Sequence, residues 1–297
     1  MNKDTTIYSL IENSLFKDIS QFLFPNDFYS IKPNMTLNDI SYLLPYHSHI
    51  EVETTIDILQ YLKEQLSQGN KVFYDIYTEK EKQIDPSKRK TGLFFFKGKK
   101  NAPFAVINAG GGFSYVGSIH ESMPHALYLS RQGYNGFALQ YRTGGADGAC
   151  QDLARAIEFI FEHAKELEVD THCYSLWGGS AGARMAAYLG SYGTISFGEK
   201  DLPQPGTIIM QYTGHRDYTK NEPPTFTCVG ENDGIAPWRV MERRINILKH
   251  QGVDVEFHKY PSLGHGFGLG IHTSAKGWID DAINFWKRQI EKGEDER

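Results

Sequence analysis

Residues 175–184 read Ser-Leu-Trp-Gly-Gly-Ser-Ala-Gly-Ala-Arg, and a short apolar run there leads into Gly178-Gly179-Ser180-Ala181-Gly182. A helix-forming run follows from Ala181 to Leu189, so the order is strand, sharp turn, helix. Such a turn forces the residue at its tip into a strained backbone conformation, and neighbours without Cβ atoms let strand and helix approach closely. The stretch therefore predicts a nucleophilic serine at position 180, with the helix N-terminus facing any developing negative charge.

Two later motifs extend this pattern, which on its own would also fit a Gly-rich turn with a serine helix cap. Gly230-Glu231-Asn232-Asp233-Gly234 follows an apolar run, and Gly264-His265-Gly266-Phe267 lies nearer the C-terminus. A serine hydroxyl is a poor nucleophile until a base takes its proton, and a carboxylate orients that base. The chain order Ser180, Asp233, His265 therefore predicts a catalytic triad with His265 as the base and Asp233 as the orienting acid.

Other residues compete for two of these roles. His258 and His272 are the fallback candidates for the base, but His265 lies between glycines in a loop after the last predicted strand. Glu231 is the alternative acid, and Asp233 could instead be an ordinary turn aspartate. We prefer Asp233 because it comes just after a strand end and before a helix.

A glycine run supplies candidates for binding a developing oxyanion. Gly110 to Phe113 directly follows a predicted strand that ends at Asn108, and bare backbone amides there can turn toward a substrate. We predict that the oxyanion hole consists of the N–H groups of Gly111, Gly112 and Ala181, with one residue of uncertainty in the glycine register. Phe113 is a candidate substrate contact. A phosphate-binding loop is the competing interpretation, but the dinucleotide and nucleotide-triphosphate spacings are not met.

Composition and charge narrow the classes of partner. The chain has 31 basic and 36 acidic residues, a net charge of −5 and a pI near 6.1, so nucleic acid and membrane are not expected partners. Cys150, Cys173 and Cys228 lie far apart without metal-ligand spacing and suggest reduced thiols. Neither a signal-peptide pattern nor a run of roughly 20 apolar residues is evident. We therefore expect a cytoplasmic protein. A homo-oligomer is compatible with the sequence, but the sequence does not determine the oligomeric state.

Hydrophobic patterns divide the chain near residue 68. Residues 1–68 carry apolar residues at helical spacing and predict an N-terminal helical segment, whereas residues 69–297 alternate between strand and helix patterns. This alternation predicts an α/β domain with a mostly parallel central sheet and helices on both faces. The first two strands predict an antiparallel edge, and we expect the charged link 79–90 between them to be a solvated turn. The charged residues 291–297 are expected to fray.

The predicted elements of this domain are short strands and amphipathic helices. The strands are expected at 72–77, 92–96, 105–108, 136–141, 174–177, 207–210, 225–229 and 253–257. The helices are expected at 152–167, 238–250 and 275–290, besides the one that follows Ser180.

The three motifs resemble those of the α/β-hydrolase superfamily, especially its esterase/lipase branch with a His-Gly-Gly-Gly loop. The chain is most similar to small acetyl-esterase and acetylxylan-esterase-like proteins, which carry a Pro-Gly-Gly-Gly-Tyr type of loop; here the residues are Ala109 to Phe113. Glu121-Ser122-Met123-Pro124 resembles a Glu-x-x-Pro element of that group, and Gln140-Tyr141-Arg142 and Asp152-Leu153 resemble two further elements. The likeness covers about residues 100–290. Ala109 departs from both loop patterns, and residues 1–68 match no motif.

The resemblance implies a carboxylic ester hydrolase for short-chain esters, including acetylated carbohydrate, that uses neither a metal nor an organic cofactor. A small-molecule ester is the expected partner. The alternatives are a serine peptidase or amidase, and a catalytically silent hydrolase fold that serves as a binding protein. The short span between Ser180 and Asp233 leaves little room for a cap domain. We therefore expect residues 1–68, with 196–205, to cover the site as a lid; the alternative is that the N-terminal helices pack behind the sheet.

Overall fold

The computed structural model describes residues 1–295, in which an eight-stranded sheet is central. Its order is β1-β2-β4-β3-β5-β6-β7-β8. The two junctions that join β1, β2 and β4 are antiparallel and all others are parallel, which confirms the predicted sheet and its antiparallel edge. The strands are β1 (Phe73–Tyr74), β2 (Gly92–Phe96), β3 (Ala102–Asn108), β4 (Asn135–Gln140), β5 (Val169–Gly179), β6 (Thr207–Gln211), β7 (Thr225–Gly230) and β8 (Val255–Tyr260).

Helices lie between the strands and at both ends of the described chain. They are α1 (Ile7–Ile11), α2 (Ser20–Leu23), α3 (Val52–Ser67), α4 (Glu79–Ile84), α5 (Ser122–Arg131), α6 (Ala146–Glu162), α7 (Ala164–Leu167), α8 (Ala181–Tyr192), α9 (Trp238–His250) and α10 (Trp278–Asp295). Short 3₁₀ helices occur at Ser14–Phe16, Leu37–Leu43, Pro86–Lys90 and Thr194–Phe197. Within residues 1–295, no helix combines the length and the apolarity that a membrane span requires.

Chain direction explains why both faces of the sheet are covered. From β3 the chain passes through α5 to β4 on one side, and from β5 it passes through α8 to β6 on the other. Right-handed crossovers in opposite directions place α5 and α8 on opposite faces. Helix α10 shares the face of α5, since Tyr128 donates a hydrogen bond to Asp280 at 2.5 Å. Coverage of both faces explains why every residue of the central strands β4, β6 and β7 is buried.

The charged link 79–90 is largely exposed, as expected, but it is helical, so the predicted turn is wrong. Helix α4 begins at a capping box in which the Thr78 N–H and hydroxyl both donate to Glu81 at 2.7 Å. Lys82 is buried and donates to Asp75 at 2.6 Å, which satisfies its charge. A Thr-x-x-Glu pattern nucleates a helix even among charges, because it supplies partners for the free N–H groups of the first turn.

Several other helices differ from the predicted ones in their presence or in where they begin and end. Helix α5 occupies a stretch in which the sequence analysis places no helix, and the predicted helix 152–167 begins earlier, at Ala146. Helix α10 continues through Glu291 to Asp295, so fraying is not observed there; positions 296 and 297 lie outside the described residues. The helical segment predicted over residues 1–68 contains one long helix, the 16-residue α3; its other helices have seven residues or fewer.

The N-terminal segment packs on the face of the sheet that carries α5. Ile58, Leu59 and Leu62 of α3 are buried, and Asp57 accepts two hydrogen bonds from Arg131 of α5 at 2.7 and 2.8 Å. Helix α3 thus packs against α5 of the α/β domain.

Residues 196–205 do not cover Ser180, and this part of the lid expectation is wrong. Helix α8 starts at the carboxyl edge of the sheet beside Ser180 and leads away from that edge, and β6 begins only at Thr207. The intervening segment therefore lies at the amino edge, where Lys200 contacts Glu158 and Glu162 of α6 at 2.9 and 2.5 Å.

In the turn from β5 into α8, backbone packs directly against backbone. A Cβ atom on Gly178 would lie 2.2 Å from the carbonyl carbon of Gly182, and one on Gly182 would lie 2.0 Å from the carbonyl oxygen of Asn108. Backbone atoms cannot move aside as a flexible side chain can, so these two positions admit only glycine.

We therefore expect Gly178→Ala to lower the free energy of unfolding by about 3 kcal/mol or more through overpacking. Gly145→Ala is the control, because nothing lies within 4 Å of its added Cβ, and it should change stability by less than about 1 kcal/mol. Urea denaturation of the two variants measures this difference. Equal stability of both variants would contradict the packing argument.

Candidate active site

The sequence-predicted site residues lie at the carboxyl edge of the parallel strands. Ser180 follows β5, Asp233 follows β7, and His265 follows β8. Ser180 has φ 52° and ψ −112°, a conformation that residues with a Cβ atom rarely adopt. Its N–H donates to the carbonyl of Gln211 at 3.0 Å, which fixes the strained turn against the end of β6.

The three predicted triad side chains are joined by two hydrogen bonds. His265 Nδ1 donates to Asp233 Oδ2 at 2.7 Å, and Ser180 Oγ lies 3.0 Å from His265 Nε2, which can accept its proton. Asp233 Oδ1 accepts from the N–H groups of Ile235 and Ala236 at 2.8 and 2.7 Å. Asp233 and His265 are buried, so the carboxylate has one fixed orientation toward the imidazole.

The competing residues lie elsewhere. Glu231 contacts Lys259 at 3.1 Å on the surface, and not an imidazole. His258 lies on β8, where it contacts Glu256 at 3.2 Å and packs against Phe226. His272 is exposed, with φ 60°.

The predicted oxyanion loop crosses over the serine. Gly111 and Gly112 have φ 132° and 62°, and a Cβ on Gly110 would lie 3.1 Å from Ser180 Cβ. The Gly110 N–H donates to Glu121, whereas within residues 1–295 the N–H groups of Gly111, Gly112 and Ala181 have no hydrogen-bond partner. These three are the predicted donors, and they are available for a ligand.

Phe113, the predicted substrate contact, follows these glycines in the same loop. It has φ 59° and is half-buried, its ring lies 6.3 Å from that of Tyr141, and its carbonyl accepts from Gly144 at 2.7 Å. The hydrogen bond from Gly144 therefore holds the loop in place just after its glycines.

A second buried carboxylate, that of Glu121, lies beside the serine, and no role is predicted for it from the sequence. Glu121 accepts hydrogen bonds from the Gly110 N–H and, at 2.7 Å, from the Tyr212 hydroxyl, and it lies 3.0 Å from His47 Nε2. A Cβ on Gly179 would lie 2.6 Å from its Oε2, so the carboxylate lies directly against the nucleophile turn. The Glu-x-x-Pro resemblance was a signal for Glu121, but no local pattern pointed to His47 or Tyr212.

The N-terminal segment reaches this site through residues 46–48. His47 Nδ1 lies 2.8 Å from the Tyr115 hydroxyl, which also accepts from the Tyr46 N–H at 3.0 Å. The Ser48 hydroxyl donates to the His265 carbonyl at 2.6 Å, and the Ser48 N–H donates to Gly266 at 2.9 Å. One short stretch thus contacts both the glycine loop and the histidine loop.

Burial and hydrogen bonding act in opposite directions on the pKa of Glu121. Burial raises it, but the neighbouring His47 and the hydrogen bonds from His47, Gly110 and Tyr212 together hold the pKa well below its usual range. The side chain is therefore a carboxylate at neutral pH. Burial and the Glu121 charge raise the pKa of Tyr212, so its hydroxyl remains a donor.

Comparisons with known proteins find ester hydrolases among the proteins to which this chain is similar. A family model described as BD-FAE matches residues 94–205. The acetylxylan esterase of Xylanibacter ruminicola is 21% identical over 61% of this chain and 44% of that protein. The acetyl ester-xyloside bifunctional hydrolase of Caldicellulosiruptor lactoaceticus superposes with a TM-score of 0.65 at 21% identity, covering 73% of this chain and 95% of that one. Thermogutta terrifontis esterase 2, phosphorylated by paraoxon, superposes with a TM-score of 0.59 at 21% identity, covering 66% of this chain and 87% of that one.

These matches identify the fold of the chain and the proteins that it resembles. The chain spans less than half the length of the curated relatives that it matches. It has the α/β-hydrolase fold, as the motifs predicted. Its likeness to the acetyl-esterase and acetylxylan-esterase members of that superfamily is confirmed, and these relatives belong to the predicted enzyme class, the carboxylic ester hydrolases.

Three buried histidines give the fold a pH dependence. Burial lowers the pKa of His120 and His215 to about 3 and that of His125 to about 4. An unfolded chain protonates these imidazoles below about pH 6.5 whereas the folded chain does not, so stability falls as the pH decreases. Between pH 6.5 and 5 we expect a loss of about 1–2 kcal/mol for each imidazole.

Urea denaturation of the wild type and His125→Leu at both pH values tests this expectation. The loss on acidification should be smaller in the variant by the contribution of one imidazole, about 1–2 kcal/mol. His250→Gln, at an exposed position, should leave the loss unchanged. An unaltered pH dependence in a folded His125→Leu protein would contradict the assignment.

Proposed function

We propose that the protein is a serine esterase that cleaves short-chain carboxylic esters through an acyl-enzyme. The observation that carries the proposal is the 3.0 Å separation of Ser180 Oγ from His265 Nε2, with Asp233 bound to the other ring nitrogen at 2.7 Å. A nucleophile within reach of a base, and a base oriented by a third group, are what acyl transfer by serine requires.

In the first half of the proposed reaction, Ser180 Oγ attacks the ester carbonyl carbon while His265 Nε2 takes the hydroxyl proton. The carbonyl oxygen becomes an oxyanion, which the N–H groups of Gly111, Gly112 and Ala181 stabilise. Collapse of this intermediate breaks the bond to the alcohol oxygen, and His265 returns the proton to that oxygen. The alcohol leaves, and the acyl group stays on Ser180.

In the second half of the proposed reaction, water attacks the acyl-enzyme through the same steps. His265 removes a proton from water as the water oxygen attacks the acyl carbon, and the same amides stabilise the second oxyanion. The bond to Ser180 Oγ then breaks, His265 reprotonates the serine, and the acid departs. Asp233 keeps Nδ1 protonated throughout, so Nε2 is the nitrogen that exchanges the proton. The chain itself supplies the nucleophile, base and donors, so the proposed cycle uses no metal ion or organic cofactor.

Acetylated carbohydrate is the substrate that we propose within this class. Four partly exposed rings, Phe28, Tyr29, Tyr42 and Tyr46, form an aromatic cluster with neighbouring ring centroids 4.8–5.8 Å apart. Tyr46 lies 3.2 Å from the position of a Cβ on Gly112, so the cluster begins at the oxyanion loop. Exposed rings with hydroxyl groups suit stacking and hydrogen bonding to a sugar. In this proposal residues 1–68 form the substrate-facing wall and residues 69–297 carry the catalytic groups.

We expect Ser180→Ala to lower kcat for p-nitrophenyl acetate by roughly 10⁴-fold or more, because loss of the nucleophile removes the acyl-enzyme route. Ser196→Ala, at an exposed serine on the amino side of the sheet, is the matched control and should retain wild-type activity. Equal activity of the wild type and Ser180→Ala would end the proposal.

Two further assays separate the alternatives. A fluorophosphonate probe should label the wild type at Ser180; absence of labelling would favour the silent binding protein. Turnover of an acyl ester and its matched amide should favour the ester; a preference for the amide would favour the peptidase or amidase.

The aromatic cluster gives a separate test of substrate class. We expect Tyr42→Ala to raise KM for an acetylated xylo-oligosaccharide about 5-fold to 10-fold, since a stacked ring contributes about 1 kcal/mol. The same variant should leave KM for p-nitrophenyl acetate unchanged, because Tyr42 is connected to Tyr46 at the oxyanion loop only through the rings of Tyr29 and Phe28. Tyr192→Ala removes an equally exposed ring at the far end of α8 and serves as the control. Unchanged kinetics of Tyr42→Ala on the saccharide would contradict the assignment.

A further inference from the structure

We infer that Glu121 and His47 form a positioning pair that holds the oxyanion loop in register beside Ser180. The inference rests on the proposed function and goes beyond it, because it assigns a role to a residue of the N-terminal segment. Glu121 acts through the backbone of Gly110 and does not touch the substrate; it is a positioning residue, not a catalytic one.

The contacts of Glu121 fix its carboxylate on three sides. Its Oε2 accepts from the Gly110 N–H, and its Oε1 accepts from the Tyr212 hydroxyl at 2.7 Å and lies 3.0 Å from His47 Nε2. The side chain is 1% exposed, so water does not replace a lost partner easily. A buried charge is tolerated when every hydrogen-bonding position is filled, and removal of one partner is costly.

Proton positions in this network follow from what each group can donate. A carboxylate can only accept, so the proton between His47 Nε2 and Glu121 belongs to the histidine. The Tyr115 oxygen accepts from the Tyr46 N–H at 3.0 Å, and its own proton can go to His47 Nδ1 at 2.8 Å. Both ring nitrogens of His47 therefore have a hydrogen-bond partner, which fixes the orientation of the imidazole.

The network decides which glycine amides remain available. Because Glu121 takes the Gly110 N–H, and the Gly110 carbonyl accepts from Gly117 at 2.9 Å, Gly110 is fixed by both of its polar groups. The next two amides, those of Gly111 and Gly112, are the first that are free to bind an oxyanion. Without the carboxylate, the Gly110 amide would lose its partner and the loop could rotate by one peptide, which would turn the donors away from Ser180.

The N-terminal segment also holds the opposite side of the site. Ser48, next to His47, bonds the His265 carbonyl at 2.6 Å and the Gly266 carbonyl at 2.9 Å. The matched family model begins only at residue 94, so His47 and Ser48 come from outside the matched region. Residues 46–48 therefore act as a clamp between two catalytic loops, which is a different role from a lid that opens.

Glu121→Gln is the primary test, because the amide keeps the shape but turns one acceptor into a donor facing other donors. We expect kcat for p-nitrophenyl acetate to fall about 10-fold to 100-fold, with KM within about 3-fold of wild type, because only the transition state carries the oxyanion. Fluorophosphonate labelling of Ser180 should slow by a similar factor, since the phosphoryl oxygen enters the same hole.

His47 variants give a second test that does not alter the carboxylate. His47→Gln keeps an N–H donor near the position of Nε2 and should retain activity within about 5-fold, whereas His47→Leu removes it and should lose about 10-fold or more in kcat. Tyr212→Phe keeps the ring against His265 and deletes one donor to Glu121. It is the mildest change and should lower kcat several-fold. It also serves as the test if the Glu121 variants do not fold.

Asp57→Asn is the control, because it weakens the contact of α3 with Arg131 on α5 without reaching the catalytic loops. It should leave kcat, KM and the labelling rate unchanged. Wild-type kcat and labelling rate in folded Glu121→Gln or Tyr212→Phe, or an equal loss in Asp57→Asn, would overturn the inference. An inactive, unlabelled wild type would instead count against the proposed function, so the two failures are distinguishable.

Discussion

The strained strand-to-helix turn at Ser180 is the constraint on which the other features depend. The turn exists because Gly178 and Gly182 let β5, α8 and the end of β3 touch through their backbones. That contact places the loop after β3 over the serine, and the parallel sheet places the loops after β7 and β8 at the same edge. Positive φ at Ser180 costs free energy locally, and the packed sheet around it offsets that cost.

Two carboxylate–imidazole pairs flank this turn, and they differ in what the imidazole can still do. In the Asp233–His265 pair, one ring nitrogen faces Ser180 Oγ and can exchange a proton. In the Glu121–His47 pair, both ring nitrogens are occupied. Tyr212 connects the pairs, because its hydroxyl bonds Glu121 while its ring lies 4.9 Å from that of His265. One pair is thus arranged for proton transfer and the other for rigidity.

Local patterns predicted most of the α/β domain and the loops that carry Ser180, Asp233 and His265. Glycines next to Ser180 and His265 impose sharp turns that can be recognised residue by residue. The same reading failed at 79–90, where it weighed charge and overlooked the capping box at Thr78 and Glu81. It gave no helix over Ser122–Arg131, and its placement of 196–205 over the site was wrong because chain direction through the sheet, not spacing, decides which edge a loop occupies.

By itself the sequence determined the alternation of strands and helices, the nucleophile turn and the order of the serine, aspartate and histidine loops. These features arise from hydrophobic period and backbone sterics within a few residues of each other. Only the tertiary structure brought His47 to Glu121, which lies 74 positions away in the sequence, and Ser48 to the histidine loop. Such contacts depend on how the N-terminal segment packs over the sheet edge, and no local periodicity carries that information.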